Sequence, residues 1–170
     1  MPLQKQINLY VAPGVAGDKA TPDQSVYTPL NPLAEAALPV GGFVFPVIAD
    51  GAQDNSRATN VAGSATEVLG FVERVINYVN YDVFSPGTLM VPKGAALTVA
   101  VRGDYWAVSS TAATVGQAVL ASTADGSVST GTADATHLDT GWVVKTAGAA
   151  GEPIIISNWN STVKPVSAGA

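Results

Sequence analysis

The chain has 170 residues, no cysteine and a formal net charge of −5, with 12% charged and 47% hydrophobic residues. The absence of cysteine excludes disulfides, thiol catalysis and cysteine-ligated zinc. The eight Lys and Arg residues are scattered, which argues against nucleic-acid binding. No apolar run approaches the roughly twenty residues of a membrane span, and no secretory signal follows Lys5. We therefore expect a soluble protein made in the cytoplasm, with no membrane or nucleic-acid partner.

The low charge content also limits which residues can cover the surface. Soluble domains carry charge on about a quarter of their residues, roughly twice the fraction found here. Such a surface must be covered by small polar residues or by other protein. We expect much of it to be interface.

Residues 1–46 are predicted to form an extended N-terminal arm. Gln4 to Val11 alternates partly, as in a strand, and the prolines that follow, from Pro13 onward, interrupt any sheet core of the arm's own. Asn31 to Leu38 predicts one short helical turn, with Asn31 as the N-cap and Pro32 at the first helical position. Because the arm is apolar but interrupted by prolines, we expect it to become ordered on a neighbouring surface.

Residues 47–159 are predicted to be a β domain, followed by a short polar tail at 160–170. Phe43 to Ile48 indicates a strand at the junction, and residues 50–65 are small and polar, which predicts a mobile loop or projecting tongue. Glu67 to Phe84 is rich in Val, Ile, Tyr and Phe, and we interpret it as strand with a bend near Asn77.

Three hairpins are predicted in the second half of the chain. Their turns are Gly103-Asp104, the loop ending in Asp125-Gly126, and the loop Gly148–Gly151. Consecutive hairpins at short spacing predict an all-β fold, an antiparallel sandwich or barrel.

Few residues are candidates for catalysis or metal binding. Asp134, His137 and Asp139 could ligate a metal, but in a loop rich in Thr, Ala and Gly they are typical solvated turn residues. Glu67 and Glu73 could form an acid pair for glycoside hydrolysis, although strand carboxylates are usually surface groups. No nucleophile or phosphate-binding motif occurs. We predict no enzyme activity, no metal and no cofactor.

The tryptophans are expected to divide between core and interface. Trp106 and Trp142 lie in predicted hairpin strands, where packing is the default role of aromatic residues. Trp159 stands at the junction with the tail and is the better interface candidate.

Several stretches, taken in order, resemble one family. They are Gln4–Asn8, Ala12–Asp18, Gly70–Arg74, Gly103–Trp106, Ala113–Gln117, Thr146–Pro153 and Ile156–Trp159. This set resembles the structural cement, or capsid decoration, proteins of tailed bacteriophages. The resemblance implies a non-enzymatic protein on the outer surface of the virion capsid, bound to the major capsid protein as a symmetric oligomer, which we predict to be a homotrimer.

An alternative from another class is a carbohydrate-binding or host-attachment module displayed on the virion, which would use exposed aromatic residues. The predicted capsid or intersubunit contacts combine arm residues with the last tryptophan: Gln4, Gln6, Ile7, Leu9, Val11, Val15, Tyr27, Leu30 and Trp159.

Overall fold

The computed structural model of the protein describes residues 14–75 and 89–159. These residues form thirteen strands and no helix, so the predicted all-β class is confirmed. Within the same ranges, no helix is long and apolar enough to cross a membrane. The strands are β1 Val26–Tyr27, β2 Leu33–Ala34, β3 Leu38–Pro39, β4 Phe43–Ala49, β5 Ala52–Thr59, β6 Gly70–Val72, β7 Met90–Val91, β8 Val99–Arg102, β9 Asp104–Val108, β10 Ala118–Ser122, β11 Val128–Thr130, β12 His137–Val144 and β13 Pro153–Ser157.

The first sheet has the order β1-β8-β6-β4-β5-β2 and curls back on itself. Its last strand, β2, runs parallel to β5, and Leu33 also bridges to Ala96, just before β8 begins. The curled sheet encloses a small apolar cluster: Ala34, Leu38, Val40, Val44, Ala58, Val72, Val91, Leu97 and Val99.

The second sheet has the order β11-β10-β12-β13-β9 and also curves round. Ser109, which follows β9, forms a parallel bridge with Val128 of β11, and the amide of Ser110 donates to the Val128 carbonyl at 2.8 Å. The two ends of the sheet are thereby brought together, which leaves little free strand edge.

The main core lies between the two curled sheets. Phe43 and Phe71 from the first sheet meet Tyr105 and Trp142 from the second, with ring centroids 5.3 to 6.1 Å apart. These four side chains are at most 2% exposed. The fold is thus two curled β-sheets packed through one aromatic cluster.

The predicted hairpins are confirmed in two places and wrong in one. β10 pairs with β11, and β12 pairs with β13, both antiparallel. The strands on either side of Gly103, however, belong to different sheets, since β8 pairs with β6 whereas β9 pairs with β13. At Gly103 the chain crosses between the sheets with φ +147°, and an added Cβ would lie 2.7 Å from the Tyr105 ring.

The short helical turn predicted at 31–38 is wrong. The segment is extended because it lies between β5 and the chain before β8 and bonds to both. The amide of Ala34 donates to the Ala95 carbonyl and the amide of Glu35 to the Ala58 carbonyl, each at 2.9 Å. Tertiary pairing therefore overrides the local capping signal.

The loop predicted at 50–65 is wrong for most of its length, because β5 occupies Ala52–Thr59 and pairs with β4. Asp50 and Gly51 form the connecting turn, both with positive φ (51° and 76°), as a two-residue type I′ turn requires. Small polar residues mark an exposed strand here, since most of β5 faces solvent.

The predicted boundary between arm and domain at residue 46 falls inside β4. Phe43 and Phe45 belong to the main core and Val44 to the smaller cluster. The strand predicted at Phe43 to Ile48 is present as β4. The strand predicted at 67–84 is present as β6 at Gly70–Val72, and the predicted bend near Asn77 and the tail at 160–170 lie outside the described residues.

Gly126 fixes the β10–β11 hairpin against the first sheet. Its carbonyl accepts the Phe43 amide at 2.8 Å, and with φ +69° an added Cβ would lie 2.1 Å from the Phe43 carbonyl oxygen. We predict that Gly126→Ala lowers stability by roughly 3 kcal/mol or more, because left-handed strain and a backbone clash add. Thermal unfolding should show a Tm lower by about 6–12 °C.

Gly63→Ala is the matched control for this change. Gly63 also has positive φ (56°), but nothing lies within 4 Å of its added Cβ. Only the conformational cost, on the order of 1 kcal/mol, should remain. Equal losses of Tm in the two variants would contradict the proposed clash.

Candidate interaction surface

The candidate metal and acid residues do not assemble into a chemical site. Asp134 accepts hydrogen bonds from the amide and hydroxyl of Thr136, both at 2.7 Å, and His137 Nδ1 lies 3.1 Å away. Hydrogen bonds from Thr136 and His137 lower the pKa of Asp134 to about 2. The Asp139 carboxylate instead accepts the Gly141 amide. Among the described residues no group of three or more metal-ligating side chains occurs.

Glu73 and Glu67 lie in different environments. The Tyr105 hydroxyl donates to the Glu73 carboxylate at 3.1 Å, while Glu67 is exposed in the segment before β6. Burial raises the pKa of the Tyr105 phenol, so this group stays a neutral donor. The hydrogen bond between Tyr105 and Glu73 ties β9 to the end of β6.

Of the predicted contact residues, four lie within the described ranges. Val15, Leu30 and Trp159 are exposed, at 45%, 55% and 40%. Tyr27 is instead half-buried and packs against the main core. The others, namely Gln4, Gln6, Ile7, Leu9 and Val11, lie outside the described residues.

The described part of the arm is ordered on the protein's own body. The Gly17 amide donates to the Trp106 carbonyl at 2.8 Å, the Trp106 amide donates to the Asp18 carbonyl at 2.8 Å, and the Ala20 amide donates to the Asp104 carbonyl at 2.9 Å. These bonds extend the second sheet beyond β9. Gly14 lies against the indole of Trp106, where an added Cβ would be 2.2 Å from Cδ1.

Side-chain contacts add to this attachment. Arg74 forms an ion pair with Asp18 at 2.9 Å, and its amide donates to the Gly17 carbonyl. Lys19 lies over the Tyr27 ring, 5.5 Å from its centroid, and a hydrogen bond with Tyr27, helped by the charge of Glu73, raises the pKa of Lys19. Residues 14–27 are therefore fixed against the body of the protein.

A second exposed apolar area surrounds the end of β13. Val26 and Val101 are 43% and 40% exposed and lie on the neighbouring strands β1 and β8. Asn158 connects this area to Trp159, since its Nδ2 donates to the Val101 carbonyl and its Oδ1 accepts the Gly103 amide. The predicted contact residues include Trp159 but neither valine. Val101 lies in a predicted strand, where alternation alone gives it the pattern of a core residue.

Other exposed apolar residues were also not predicted. Val115 is the most exposed, at 65%, on a turn at Thr114–Gln117 that is closed by a 3.1 Å backbone hydrogen bond. The rest are isolated on other surfaces or lie near the arm: Leu33, Val61, Leu89 and Val108. Their Val and Leu side chains carry no sequence signal that separates them from core positions.

The fold and this surface can now be compared with known proteins. The model of the structural cement protein family (E217 gp24/Pam3 gp6) matches residues 3–158. The chain belongs to this family. Membership gives the protein a structural role at the phage capsid, in agreement with the resemblance found in the sequence.

A solved structure agrees on the fold. A chain in the capsid of Myoviridae phage XM1 is similar with a TM-score of 0.59 and 14% identity, over 93% of this chain and 98% of that one. The head fiber gp8.5 N base of bacteriophage phi29 is 11% identical, over 74% of this chain and 88% of that one, with a TM-score of 0.39. No curated protein sequence matches this one.

We predict that Trp106→Ala releases the chain around Gly14 without unfolding the body. The indole lies outside the main core, so the sheets keep their packing while the arm loses its support. The amides of Gly17 and Ala20 should exchange with solvent at least tenfold faster, measured by hydrogen exchange with site resolution.

Trp159→Ala is the control, since it removes an indole of the same size at the other apolar area. It should leave exchange at Gly17 and Ala20 unchanged. Unchanged exchange in Trp106→Ala itself would show that the backbone hydrogen bonds hold the arm without the indole.

Proposed function

We propose that the protein is a non-enzymatic cement protein that binds the outer surface of the assembled capsid and bridges neighbouring major capsid subunits. The observation that carries this proposal is the family match over residues 3–158, nearly the whole chain. The protein acts as a homotrimer in this proposal, and its partner is the major capsid protein.

The physical character of the surface supports this role. Only 12% of residues are charged, and the described residues carry exposed apolar areas at the arm and at Trp159. A body with nearly closed sheets presents these areas in fixed positions, so little ordering entropy is lost in binding. In this proposal the exposed apolar side chains, which include Val15, Leu30 and Trp159, supply contacts to the capsid subunits.

Stabilisation of the shell would follow from mass action. A protein that binds assembled subunits but not free ones lowers the free energy of the assembled state by RT ln(1 + [L]/Kd) for each site. At a concentration one hundred times Kd this amounts to about 2.7 kcal/mol per site. Many such sites on one shell would raise its melting temperature substantially.

The proposed arm contact concerns residues 1–13, together with exposed Val15 and Leu30. Residues 14–20 already bond to the body, so they are not available as a free strand for a neighbour. Residues 1–13 contain the alternating Ile7, Leu9 and Val11, which would supply one apolar face of an extended chain.

The host-attachment alternative lacks the feature that would favour it. A sugar platform needs exposed aromatic rings, ideally a coplanar pair. In the described part of the chain Trp159 is the one exposed aromatic residue, and the close ring pairs are buried. A glycan-array signal that is lost in Trp159→Ala would revive this alternative.

We predict that the purified protein co-sediments saturably with undecorated, expanded capsids and raises their melting temperature. A capsid with matched major capsid protein is required, and unexpanded capsids serve as the comparison. An absence of binding to the matched capsid would overturn the proposed function and leave only the shared fold.

Two truncations locate the arm contact. Deletion of residues 1–13 should leave the melting temperature of the isolated protein within a few degrees of the full chain but weaken capsid binding at least tenfold. Deletion of residues 1–21 should also lower the protein's own stability, because it removes the hydrogen bonds to Trp106 and Asp104. Full binding by the chain that lacks residues 1–13 would exclude a capsid contact by those residues.

A further inference from the structure

Three depressions on the protein surface share residues and form one continuous trough. The first, of about 270 Å³, begins at Asn158 and reaches Val68 and Thr140. The second, of about 380 Å³, continues past the same Val68 and Thr140 to Glu67. The third, of about 240 Å³, shares Glu67 and ends at β4 and β5. The trough therefore follows the segment that leads into β6.

One wall of the trough has unpaired backbone amides in the segment just before β6. The amides of Thr66, Glu67 and Val68 donate to no backbone carbonyl of the described residues, and Thr66 and Glu67 are exposed. An extended chain laid along this wall can form the backbone hydrogen bonds of an added strand.

The opposite wall of the trough is formed by a β-bulge in β12. Val119 pairs with Trp142 but Leu120 pairs with Asp139, so that Thr140 and Gly141 form a bulge. The Thr140 hydroxyl donates to the Val119 carbonyl at 2.7 Å, and the Gly141 amide donates to Asp139 Oδ1 at 2.9 Å. These bonds fix the bulge and keep β12 apart from the segment before β6.

The charges along the trough are unevenly placed. Glu67 and Asp139 line the middle depression, whereas Arg102 lies in the lining of the first one, at the Asn158 end. A cationic side chain reaching the middle of the trough would meet two carboxylates.

We propose that this trough binds the chain's own C-terminal tail, residues 160–168. Asn158, the residue before the last described one, lines one end of the trough and is held there by its bonds to Val101 and Gly103. The family match ends at residue 158, directly before the tail begins. The proposal concerns the isolated protein and does not rest on capsid binding.

The tail sequence fits the trough in order. Ser161, Thr162 and Val163 include two β-branched residues, which favour strand pairing along Thr66–Val68. Lys164 follows and is the one charged side chain of the tail. Pro165 has no amide hydrogen and would end the added strand.

The distances that the chain can span also agree with this placement of the tail. Lys164 is six residues beyond Asn158, so its Cα can lie up to about 20 Å away in extended chain. Glu67 is three residues before Gly70, which lines the Asn158 end, and three extended residues span about 10 Å. Lys164 can thus reach Glu67 and Asp139 without strain.

Carbodiimide cross-linking of the full-length protein tests this placement, because it joins an amine and a carboxylate in contact. Mass spectrometry of the digest should show Lys164 linked to Glu67 or Asp139. In a mixture of light and isotope-labelled protein, these links should stay within one chain. Links of Lys164 to other carboxylates only, no link at all, or links between chains would each overturn the proposal.

Hydrogen exchange gives an independent measure. A chain ending at Trp159 should exchange the amides of Thr66, Glu67 and Val68 at least tenfold faster than the full chain. Lys164→Gln should show part of this increase, whereas Lys93→Gln, at an exposed lysine outside the trough lining, should show none. Equal exchange in the full and shortened chains would also overturn the proposal.

Neither measurement uses a capsid, so a negative result here leaves the proposed cement function standing, and a failure of capsid binding leaves this inference untouched.

Discussion

The aromatic cluster between the two curled sheets is the contact on which the other features depend. Phe43, Phe71, Tyr105 and Trp142 interlock with edge-on and tilted rings, and each such pair contributes about 0.5–1.5 kcal/mol beyond the area it buries. Because each sheet bends round, neither has a broad flat face to offer the other. Large aromatic side chains fill the space between two curved surfaces, which shorter aliphatic side chains would leave partly empty.

Tyr105 connects this cluster to the surface. Its ring packs in the core while its hydroxyl bonds Glu73, and the next residue, Trp106, supports Gly14 on the outer face of the same strand. Alternation along one strand thus joins the core to the attachment of the arm. The position of Gly14 on the body is therefore set by the same packing that holds the sheets together.

The sequence predicted the all-β class, two of the hairpins and the family, because turn residues such as Asp125-Gly126 act locally. It failed where distant pairing decides the conformation. Asn31 to Leu38 has a good helix start, but its amides are taken by Ala95 and Ala58. β5 was missed because a strand exposed on most of its length has no apolar alternation. Likewise, Val26 and Val101 have core-like side chains, and only their place at the end of a curled sheet exposes them.

The proposed function requires a body that is stable by itself and contacts that are made only on the assembled shell. Here the curled sheets leave few free edges, and residues 17–20 cover the outer edge of β9. Edge-to-edge aggregation of free copies is thereby disfavoured. The unpaired backbone at Thr66–Val68 is the exception, and an uncovered edge of this kind would invite other extended chains. If the tail of the same chain covers this backbone, as we propose, the backbone is no longer open to other chains. The proposed tail contact would thus help to keep free copies of the protein from associating.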